Sequence, residues 1–503
     1  MKLWLTSDNV DWDAGRYHYS AEQMMLTLFP GERPEYPDAP APVRLDEERN
    51  AVVFTLHRGA KLTNMSALVL RDGRWNNGVV RFPSEKLDEP RSQVYHTISH
   101  ALKQAFYKAG TASLGYELPW GALTGVRPAK LPTKAMLAGK TPRQAQRELE
   151  QVYRVSPGRA ELAVKCAQSA LAWKRSLKPD EVSLYVGIPF CPTRCAYCSF
   201  VSADVKRSLK LVEPYLDGLR AEIAAAGAAL KGSGNYVRTV YIGGGTPTTL
   251  SPEQLDRLMG QLSESLDLCR CTEYTVEAGR PDTITAEKLA VLKARGATRV
   301  SVNPQTMEDS VLRAMGRAHT ARQTLEAYEL VRSAGFGQVN MDLIAGLPTD
   351  TLAGFRGSID QVIALDPANI TVHTLALKKS AALFQDRDAL PDPQTVAEML
   401  EYAGQELHKA GYQPYYLYRQ KYMAGSFENV GWCKPGTENG YNICMMEELH
   451  PVVALGAGGV TKLTDGSEQL RRLCNPKYPA EYLERLPRVL QDKNAMEELG
   501  MRN

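Results

Sequence analysis

The sequence lacks the features that would direct it to a membrane, to secretion or to nucleic acid. No stretch of its 503 residues approaches the roughly 18 uninterrupted apolar positions of a membrane-spanning helix. The opening MKLWLTSDNVDWD has neither the basic start nor the apolar run of a secretory signal. The 60 basic and 57 acidic residues leave a net charge of only +3, which disfavours a nucleic-acid partner. We therefore expect a cytoplasmic protein of two or three domains.

Cysteine is scarce and unevenly placed. Nine cysteines in a chain of this length do not match the disulfide framework of a small secreted domain, so a reducing compartment is expected. Three of them nevertheless crowd into GIPFCPTRCAYCSF as Cys191, Cys195 and Cys198. Three thiolates on a four-iron cluster leave one iron open to a non-protein ligand. Two alternatives stay open: structural cysteines without a metal, and a zinc site completed by a distant Cys or His.

Strand-like and helix-like segments alternate from about residue 183 onward. Each strand-like run is short and apolar, and several of the amphipathic stretches between them open with a Ser, Thr or Asp capping residue. We predict strands at residues 183–190, 237–245, 273–279, 299–305, 338–347 and 369–377. Such an alternation forms a parallel sheet, either open and doubly wound or a complete or partial barrel.

The segments on either side of this array have a different composition. Before it, two strand-like runs and several helical stretches predict an N-terminal α+β accessory region over residues 1–180. The β/α array is assigned to residues 181–378. After it, a helical stretch, an aromatic run and a glycine-rich ALGAGG predict a C-terminal α+β domain over residues 379–503.

Unusual residues gather at one end of the predicted strands. Cys191, the glycines of GGGTPT, Glu277, Gln305 and Asp342 all lie at or just beyond the carboxyl end of a strand. Parallel β/α folds collect their active sites at that edge, so we expect these residues to share one face. Asp342 stands in an apolar strand, where burial of an unpaired carboxylate is costly, and this favours a bound partner.

The cysteine motif and the glycine turn after the next strand together resemble the radical S-adenosylmethionine (SAM) enzymes. Within that superfamily, YVGIPFC, YIGGGTPT, VNPQTM, GRAHT and NMDLIAGLPTDT resemble the oxygen-independent coproporphyrinogen III dehydrogenases over residues 183–380. WGALTGVRPAKL and YLYRQKYMAGSFENVGW extend the resemblance to the longer, HemZ-like branch. The resemblance implies an α/β fold, a partial parallel (β/α)6 radical SAM barrel flanked by the two α+β regions.

The resemblance also implies roles for individual residues. The three clustered cysteines would ligate a 4Fe-4S cluster, with one SAM molecule, or two, beside it. Tyr185 is predicted both to line SAM and to be catalytic. The other matched positions would bind SAM, the first molecule or a second, and these are Gly244, Gly245, Thr246, Glu277, Gln305, Arg317, Asp342 and Ala376. For Arg317 the alternative is a surface salt bridge. Gly187 and Phe200 depart from the family, in which histidine and cysteine are expected there.

The reaction implied by the resemblance is a radical decarboxylation. A reduced flavodoxin or ferredoxin-type donor would supply an electron that cleaves SAM, and the radical formed would take hydrogen from propionate side chains. Loss of carbon dioxide and one electron would then leave vinyl groups, converting coproporphyrinogen III to protoporphyrinogen IX. Arg127, Arg419 and Lys421 are candidates for binding the carboxylates of this tetrapyrrole.

Two other functions on a tetrapyrrole remain as alternatives. One is a haem chaperone, for which Cys433, Cys444 or His450 would be candidate axial ligands. The His-Asn haem motif expected of such chaperones is not evident in FENVGWC. The other is a radical methyltransferase or haem-degrading enzyme, which would share the same radical-generating site.

Overall fold

A computed structural model gives the fold, and it describes residues 1–10, 12–38, 50–198, 203–376, 390–420, 427–464 and 470–496. Two compact units divide the chain. The first consists essentially of residues 1–164, and the second begins at residue 165 and includes nearly all of the C-terminal segment. The division at residues 180 and 378 stays a prediction. None of the helices in the described ranges is both long and apolar enough to span a membrane.

The first unit pairs a small sheet with helices. In its described part, four strands lie in the order β1-β2-β3-β4, with β1 parallel to β2 and the rest antiparallel. Met24, Phe54 and Phe106 are fully buried in its core. The elements are β1 (Lys2–Ser7), α1 (His18–Leu28), β2 (Asn50–Arg58), β3 (Leu62–Arg71), β4 (Arg74–Pro83), α2 (Arg91–Leu114), α3 (Lys130–Leu137) and α4 (Pro142–Tyr153), and α5 (Pro157–Ser176) leads into the second unit.

The centre of the second unit is the predicted parallel array. Its strands and helices, in chain order, are β5 (Glu181–Ile188), β6 (Phe190–Cys191), β7 (Ala203–Asp204), α6 (Val205–Ser233), β8 (Tyr236–Gly244), α7 (Pro252–Ser265), β9 (Glu273–Glu277), α8 (Ala286–Ala294), β10 (Arg299–Ser301), α9 (Asp309–Ala314), α10 (Ala321–Ser333), β11 (Gln338–Ala345), α11 (Leu352–Ala364) and β12 (Asn369–Thr374). Strands β5, β8, β9, β10, β11 and β12 are parallel neighbours in that order. The predicted α/β array with a parallel sheet is confirmed.

The C-terminal segment extends this sheet at both edges. Its elements are α12 (Pro393–Lys409), β13 (Gln413–Tyr418), β14 (Asn429–Cys433), α13 (Gly440–Glu447), β15 (Val452–Leu455), β16 (Val460–Thr464), β17 (Leu470–Cys474), α14 (Pro479–Glu484) and α15 (Leu486–Asn494). Strand β14 pairs antiparallel with β12, and β15 pairs parallel with β5. These strands satisfy backbone groups that an open parallel sheet would expose at its edges. The segment therefore contributes to the central sheet instead of forming a separate one in the described ranges.

Capping residues fix where the helices between the strands begin. Ser251 accepts the backbone N–H of Gln254 through its hydroxyl, while the Gln254 side chain accepts the Ser251 N–H. Thr320 and Gln323 repeat this capping box at α10. Each box satisfies backbone donors that a helix leaves unpaired in its first turn. The Ser and Thr residues identified in the sequence are thus the N-caps of these helices.

Helix α13 lies across the amino ends of the parallel strands. Glu273 begins β9 and accepts the N–H groups of the first two residues of α13, at 2.8 and 3.2 Å. A carboxylate at a helix N-terminus is favourable because the helix dipole is positive there. Arg299, at the start of β10, donates to the carbonyls of Thr437 and Glu438 at 3.0 and 3.2 Å. The polar residues singled out in the sequence lie at the opposite, carboxyl edge.

Candidate functional site

The three clustered cysteines lie on a loop that follows β5. Cys191 ends β6, which pairs with β7, and Cys195 and Cys198 follow it half-buried. None of the three forms a disulfide in the described structure. The Ala196 N–H donates to the Met315 carbonyl at 3.1 Å, which ties the loop to the segment after α9. The thiols are therefore presented from a loop held at two places.

The glycine turn after β8 contacts this loop. Thr246 Oγ1 is 3.5 Å from Cys191 Sγ, and the Thr246 N–H donates to the Phe190 carbonyl at 2.8 Å. A Cβ on Gly245 would stand 2.6 Å from the Phe190 carbonyl oxygen, and Gly244 has a φ of +110°. Both positions therefore favour glycine. Gly244, Gly245 and Thr246, all predicted from the sequence, lie beside the first cysteine.

Two buried guanidinium groups flank the second cysteine. Arg280 Nη1 and Arg317 Nη1 each lie 3.8 Å from Cys195 Sγ. Arg317 also donates to the Tyr197 hydroxyl at 2.9 Å and to two backbone carbonyls at 2.9 and 2.8 Å. Burial lowers the pKa of Arg317, but Tyr197 and Cys195 outweigh it and the net pKa is raised. Arg317 is thus a buried cation beside the cysteine loop, and the surface salt bridge considered for it is wrong.

Glu277 is a half-buried carboxylate at the end of β9. The Tyr241 hydroxyl donates to its Oε1 at 2.5 Å, and the Gly244 N–H donates to its Oε2 at 3.2 Å. Burial raises the pKa of Glu277 to about 7, opposed by the Tyr241 hydrogen bond and reinforced by the charge of Asp342. Glu277 therefore exchanges its proton near neutral pH, which suits contact with a ligand's polar groups.

Three tyrosine rings stack next to Glu277. The rings of Tyr185, Tyr241 and Tyr441 have centroid separations of 4.6 to 6.4 Å, with planes 21 to 23° apart. Burial, with a further contribution from the charge of Glu277, raises the pKa of Tyr185. Tyr185 and Tyr241 come from adjacent strands, whereas Tyr441 belongs to α13. The rings form an apolar wall beside the carboxylate.

The remaining predicted SAM residues lie at the ends of β10, β11 and β12. Gln305 has a φ of +70°, and its N–H donates to the Asp342 carbonyl at 2.9 Å. The Asp342 carboxylate accepts Asn340 Nδ2 at 2.7 Å and lies 3.6 Å from His373 Nε2. Ala376 is half-buried just beyond β12. Asp342 is therefore not unpaired within the protein, and a bound ligand at its carboxylate stays a prediction.

Several of the buried polar atoms that lack a protein partner in the described structure lie at this edge. Among them are Asn303 Oδ1, Gln305 Oε1 and Arg317 Nε. Asn303 and Arg317 are 8% and 6% exposed, so water reaches them poorly. A buried polar group costs free energy unless it is hydrogen-bonded. The edge is therefore suited to a polar ligand such as SAM.

The donor chemistry of the cysteine loop fits an anionic iron-sulfur cluster. Three thiols stand on one loop, and two guanidinium groups face the sulfur of Cys195. In such a cluster each thiolate binds its own iron, so the sulfurs need not converge on one point. Among the described residues, no three His, Cys, Asp or Glu side chains form a group that could hold a single metal ion.

Comparison with known proteins identifies the family. A model of the Radical SAM superfamily matches residues 185–362. Over 412 residues the chain is 38% identical to the oxygen-independent coproporphyrinogen-III oxidase-like protein HemZ of Bacillus subtilis, which covers 81% of this chain and 82% of that protein. The chain belongs to the HemZ-like family of radical SAM proteins.

Two further proteins are similar to parts of this chain. The chain is 33% identical over 269 residues to the heme chaperone HemW of Bacillus subtilis, covering 52% of this chain and 66% of that one. The fold is similar to that of the radical SAM enzyme coproporphyrinogen III oxidase, HemN, from Escherichia coli. That similarity has a TM-score of 0.52 at 24% identity and covers 68% of this chain and 77% of the other.

Gly187, where the resemblance led us to expect histidine, is packed against the turn after β15. A Cβ at this position would lie 2.9 Å from the Ala457 carbonyl oxygen. The Tyr215 hydroxyl donates to the Gly187 carbonyl at 2.6 Å and accepts the Ala457 N–H at 2.9 Å. The C-terminal segment thus occupies the space beside Gly187. Phe200, the other departure, lies outside the described residues.

The candidate tetrapyrrole contacts lie in different parts of the chain, and one of them lies outside the described residues. Arg419 is buried, and burial lowers its pKa to about 10 against the opposing charge of Glu428. Lys421 lies outside the described residues, and Arg127 belongs to the first unit. Which groups would bind the substrate carboxylates stays a prediction.

Four residues of the site were missed by sequence reasoning: Tyr197, Tyr241, Arg280 and Tyr441. Tyr197 lies between two of the clustered cysteines, and Tyr241 and Arg280 lie in or just after predicted strands, so proximity to the motifs was the available signal. Tyr441 comes from a segment distant in sequence. No local pattern marks it as part of the site.

Proposed function

We propose that this chain is a radical SAM enzyme that decarboxylates two propionates of coproporphyrinogen III without oxygen, giving protoporphyrinogen IX. The observation that carries the proposal is the contact between the cysteine loop and the glycine turn, with Thr246 Oγ1 3.5 Å from Cys191 Sγ. That contact would bring a cluster and SAM together at one edge of the sheet. The match to HemZ extends well beyond residues 185–362 and supports the same substrate class.

The chain's own residues would hold both cofactors. Cys191, Cys195 and Cys198 would bind a 4Fe-4S cluster and leave one iron for the amino and carboxylate groups of SAM. When bound, this pair supplies a radical by one-electron reductive cleavage of SAM. Gly244 and Gly245 let the turn pack against the backbone of the cysteine loop, which would present the turn to a nucleotide bound beside the cluster.

Glu277 and the tyrosine rings would orient SAM and exclude water. The Glu277 carboxyl group is held by Tyr241 and Gly244, and because burial raises its pKa to about 7 it would donate or accept a hydrogen bond near neutral pH. The stacked rings of Tyr185, Tyr241 and Tyr441 form an apolar wall that would shield one side of the site from solvent. A dry site protects a radical from side reactions. Gln305, Arg317, Asp342 and Ala376 would line a second SAM or the substrate.

The electron donor and location are also part of the proposal. A reduced flavodoxin or ferredoxin-type protein would deliver the electron. A reducing cytoplasm suits a protein whose nine cysteines form no disulfide in the described structure.

A haem chaperone is the main competing function, because HemW of Bacillus subtilis is among the relatives. Such a protein needs an axial ligand that haem can reach. Cys433, Cys444 and His450 are each 1% exposed or less, and His450 Nε2 shares a hydrogen bond with Ser183 Oγ at 2.8 Å. The burial of these three residues favours packing roles for them. Because haem could not reach them as axial ligands, it also favours the enzymatic proposal.

An anaerobic assay with reconstituted protein tests the proposal. The mixture contains coproporphyrinogen III, SAM and reduced flavodoxin, and the products are separated by chromatography. We expect protoporphyrinogen IX, two carbon dioxide molecules per tetrapyrrole and 5′-deoxyadenosine, all absent with Cys191→Ala. Deoxyadenosine without decarboxylated product contradicts the substrate assignment. A methylated tetrapyrrole indicates methyl transfer, and a shifted Soret band on haem titration without turnover indicates a chaperone.

A further inference from the structure

Arg280 is held rigidly by an ion pair from its own segment. Its Nε and Nη2 donate to the two oxygens of Asp282 at 2.9 and 3.1 Å. The third nitrogen, Nη1, donates to Thr193 Oγ1 at 3.1 Å and lies 3.8 Å from Cys195 Sγ. The Arg280 side chain is 4% exposed. All three guanidinium nitrogens therefore have partners, and the plane of the group is fixed against the cysteine loop.

The backbone around this pair is also fixed. Arg280 lies just beyond the carboxyl end of β9, and residues 281–283 form a single 3-10 turn that carries Asp282. Thr283 Oγ1 donates to the Arg280 carbonyl at 2.7 Å and shares a hydrogen bond with Thr248 Oγ1 at 2.6 Å. The distance from the guanidinium to the sulfur is thus set by a turn that is itself hydrogen-bonded to its neighbours.

Asp282 opposes the charge of Arg280. Burial raises the pKa of Asp282, but the hydrogen bonds and the charge of Arg280 together outweigh it and lower the pKa below its usual value. The carboxylate is therefore ionised at neutral pH. A positive group facing the sulfur and a negative group behind it form an oriented pair.

We propose that Arg280 is a positioning residue that sets the reduction potential of the cluster, and that Asp282 limits its effect. The inference rests on the 4Fe-4S cluster of the proposed function. Reduction transfers one electron from a low-potential reductant to the cluster and makes it more negative by one charge. A guanidinium beside a ligand sulfur stabilises that added charge and raises the potential, since hydrogen bonds to the sulfurs and nearby charges tune such clusters.

The test is a redox titration of the full-length protein, followed by electron paramagnetic resonance after anaerobic reconstitution and without SAM. Titanium(III) citrate is the reductant. We expect Arg280→Gln to shift the midpoint potential to more negative values, because the cation is lost and Asp282 remains. We expect Asp282→Asn to shift it to more positive values, because the guanidinium charge is no longer opposed. Arg280→Lys keeps the positive charge, so we expect its midpoint potential to lie closer to that of the unmodified protein.

The chain offers a matched control at the opposite edge of the sheet. Arg295 Nε and Nη2 donate to the two oxygens of Asp256 at 2.6 and 2.7 Å, the same two-pronged geometry. Arg295 precedes β10 and so lies at the amino edge, away from the cysteines. We expect Arg295→Gln to leave the midpoint potential unchanged.

The direction of the shifts separates tuning from a merely structural role. Opposite shifts for Arg280→Gln and Asp282→Asn support the inference. Shifts in the same direction, or unchanged potentials in both, overturn it. If Arg280→Gln assembles no cluster, the inference is decided by Asp282→Asn alone: a shift of its midpoint potential to more positive values supports the inference, and any other result overturns it. Iron content is measured in each variant. If the unmodified protein holds no four-iron centre, the proposed function itself is overturned. If the cluster assembles normally but neither substitution changes its midpoint potential, only the present inference is overturned.

Discussion

Two buried polar clusters in the second unit differ in how fully the protein satisfies them. In the first cluster, between α6 and the C-terminal helices, the Glu222 carboxylate is completely buried. The groups that face its oxygens, at 2.6 to 3.3 Å, are the side chains of Tyr482, Asn475 and Lys493 and the backbone N–H of Gly456. Lys493 Nζ makes two further hydrogen bonds, at 2.8 and 3.1 Å. The protein alone satisfies this cluster.

In the second cluster, at the carboxyl edge of the parallel strands, the protein leaves buried polar atoms unsatisfied. Asn303 Oδ1, Gln305 Oε1 and Arg317 Nε are buried and have no partner among the described residues. Folding tolerates such groups where they serve binding, and satisfied networks rigidify a core. The comparison teaches that burial of charge does not by itself mark a functional site. We expect unsatisfied polar atoms beside reactive side chains to be the better indicator of one.

The largest effect is expected from removing the cysteines. Replacing Cys191, Cys195 and Cys198 by alanine should abolish iron binding and turnover completely. The apoprotein should unfold at an unchanged urea concentration, because the thiols are half-buried and on a loop. Iron analysis and urea unfolding of the metal-free protein measure the two results. Retained four-iron content would contradict the assignment of these ligands.

Disrupting the satisfied cluster around Glu222 should lower stability and leave iron binding unchanged. Lys493→Met leaves the buried Glu222 carboxylate without its cation, and the loss of an ion-pair partner at such a site costs about 3 to 5 kcal/mol of unfolding free energy. Urea unfolding of the apoprotein measures this. Adding Glu222→Gln should recover part of the loss. Iron bound per folded molecule should stay normal, and a selective loss of iron without destabilisation would contradict the distinction between the clusters.

Glu277 should make the stability of the apoprotein depend on pH. Burial first, and Asp342 to a lesser extent, raise its pKa from 4.5 to about 7. The folded state therefore holds a proton that the unfolded state has lost between these values, so stability falls as pH rises through this window. The expected loss is on the order of 3 kcal/mol. Glu277→Gln should remove this part of the pH dependence, as measured by urea unfolding from pH 4.5 to 8. An identical pH profile in the variant would contradict the assignment.

The smallest effect is expected at an exposed ion pair. Arg257 contacts Glu213 at 2.8 Å, and both side chains are about half exposed, at 52% and 53%. Water and salt screen such a pair. Arg257→Gln should leave the urea midpoint, the iron content and turnover unchanged within error. A marked loss of stability would contradict the view that ion pairs matter for stability mainly where their charges are buried.

The sequence was most informative about the parallel strands and the edge on which they end. Buried parallel strands are short apolar runs, so residues 237–245 and 338–347 were recognisable without neighbours. Because active sites of parallel β/α folds lie at the carboxyl ends of the strands, the sequence predicted that Cys191, Gly244 and Glu277 share one face. The structure brings them together.

Long-range pairing was beyond the sequence. Strands β14 and β15 join opposite edges of one sheet. This pairing depends on which strands lie at the open edges, and no local sequence pattern encodes that. Tyr441 reaches the tyrosine stack only because α13 crosses the amino edge. The sequence did not show that Asp342 has a partner within the protein, yet Asn340, two residues away on the same strand, donates to it. These contacts follow from tertiary packing.

The most direct test of the central claim is electron-nuclear double resonance on the reduced, anaerobically reconstituted protein with SAM labelled by ¹⁵N at its amino group. The account predicts about four irons per chain and a coupling between the cluster and the label. Loss of both signals is expected in the Cys191→Ala protein. A cluster that carries no nitrogen coupling, or a protein that assembles no four-iron centre, would contradict the account.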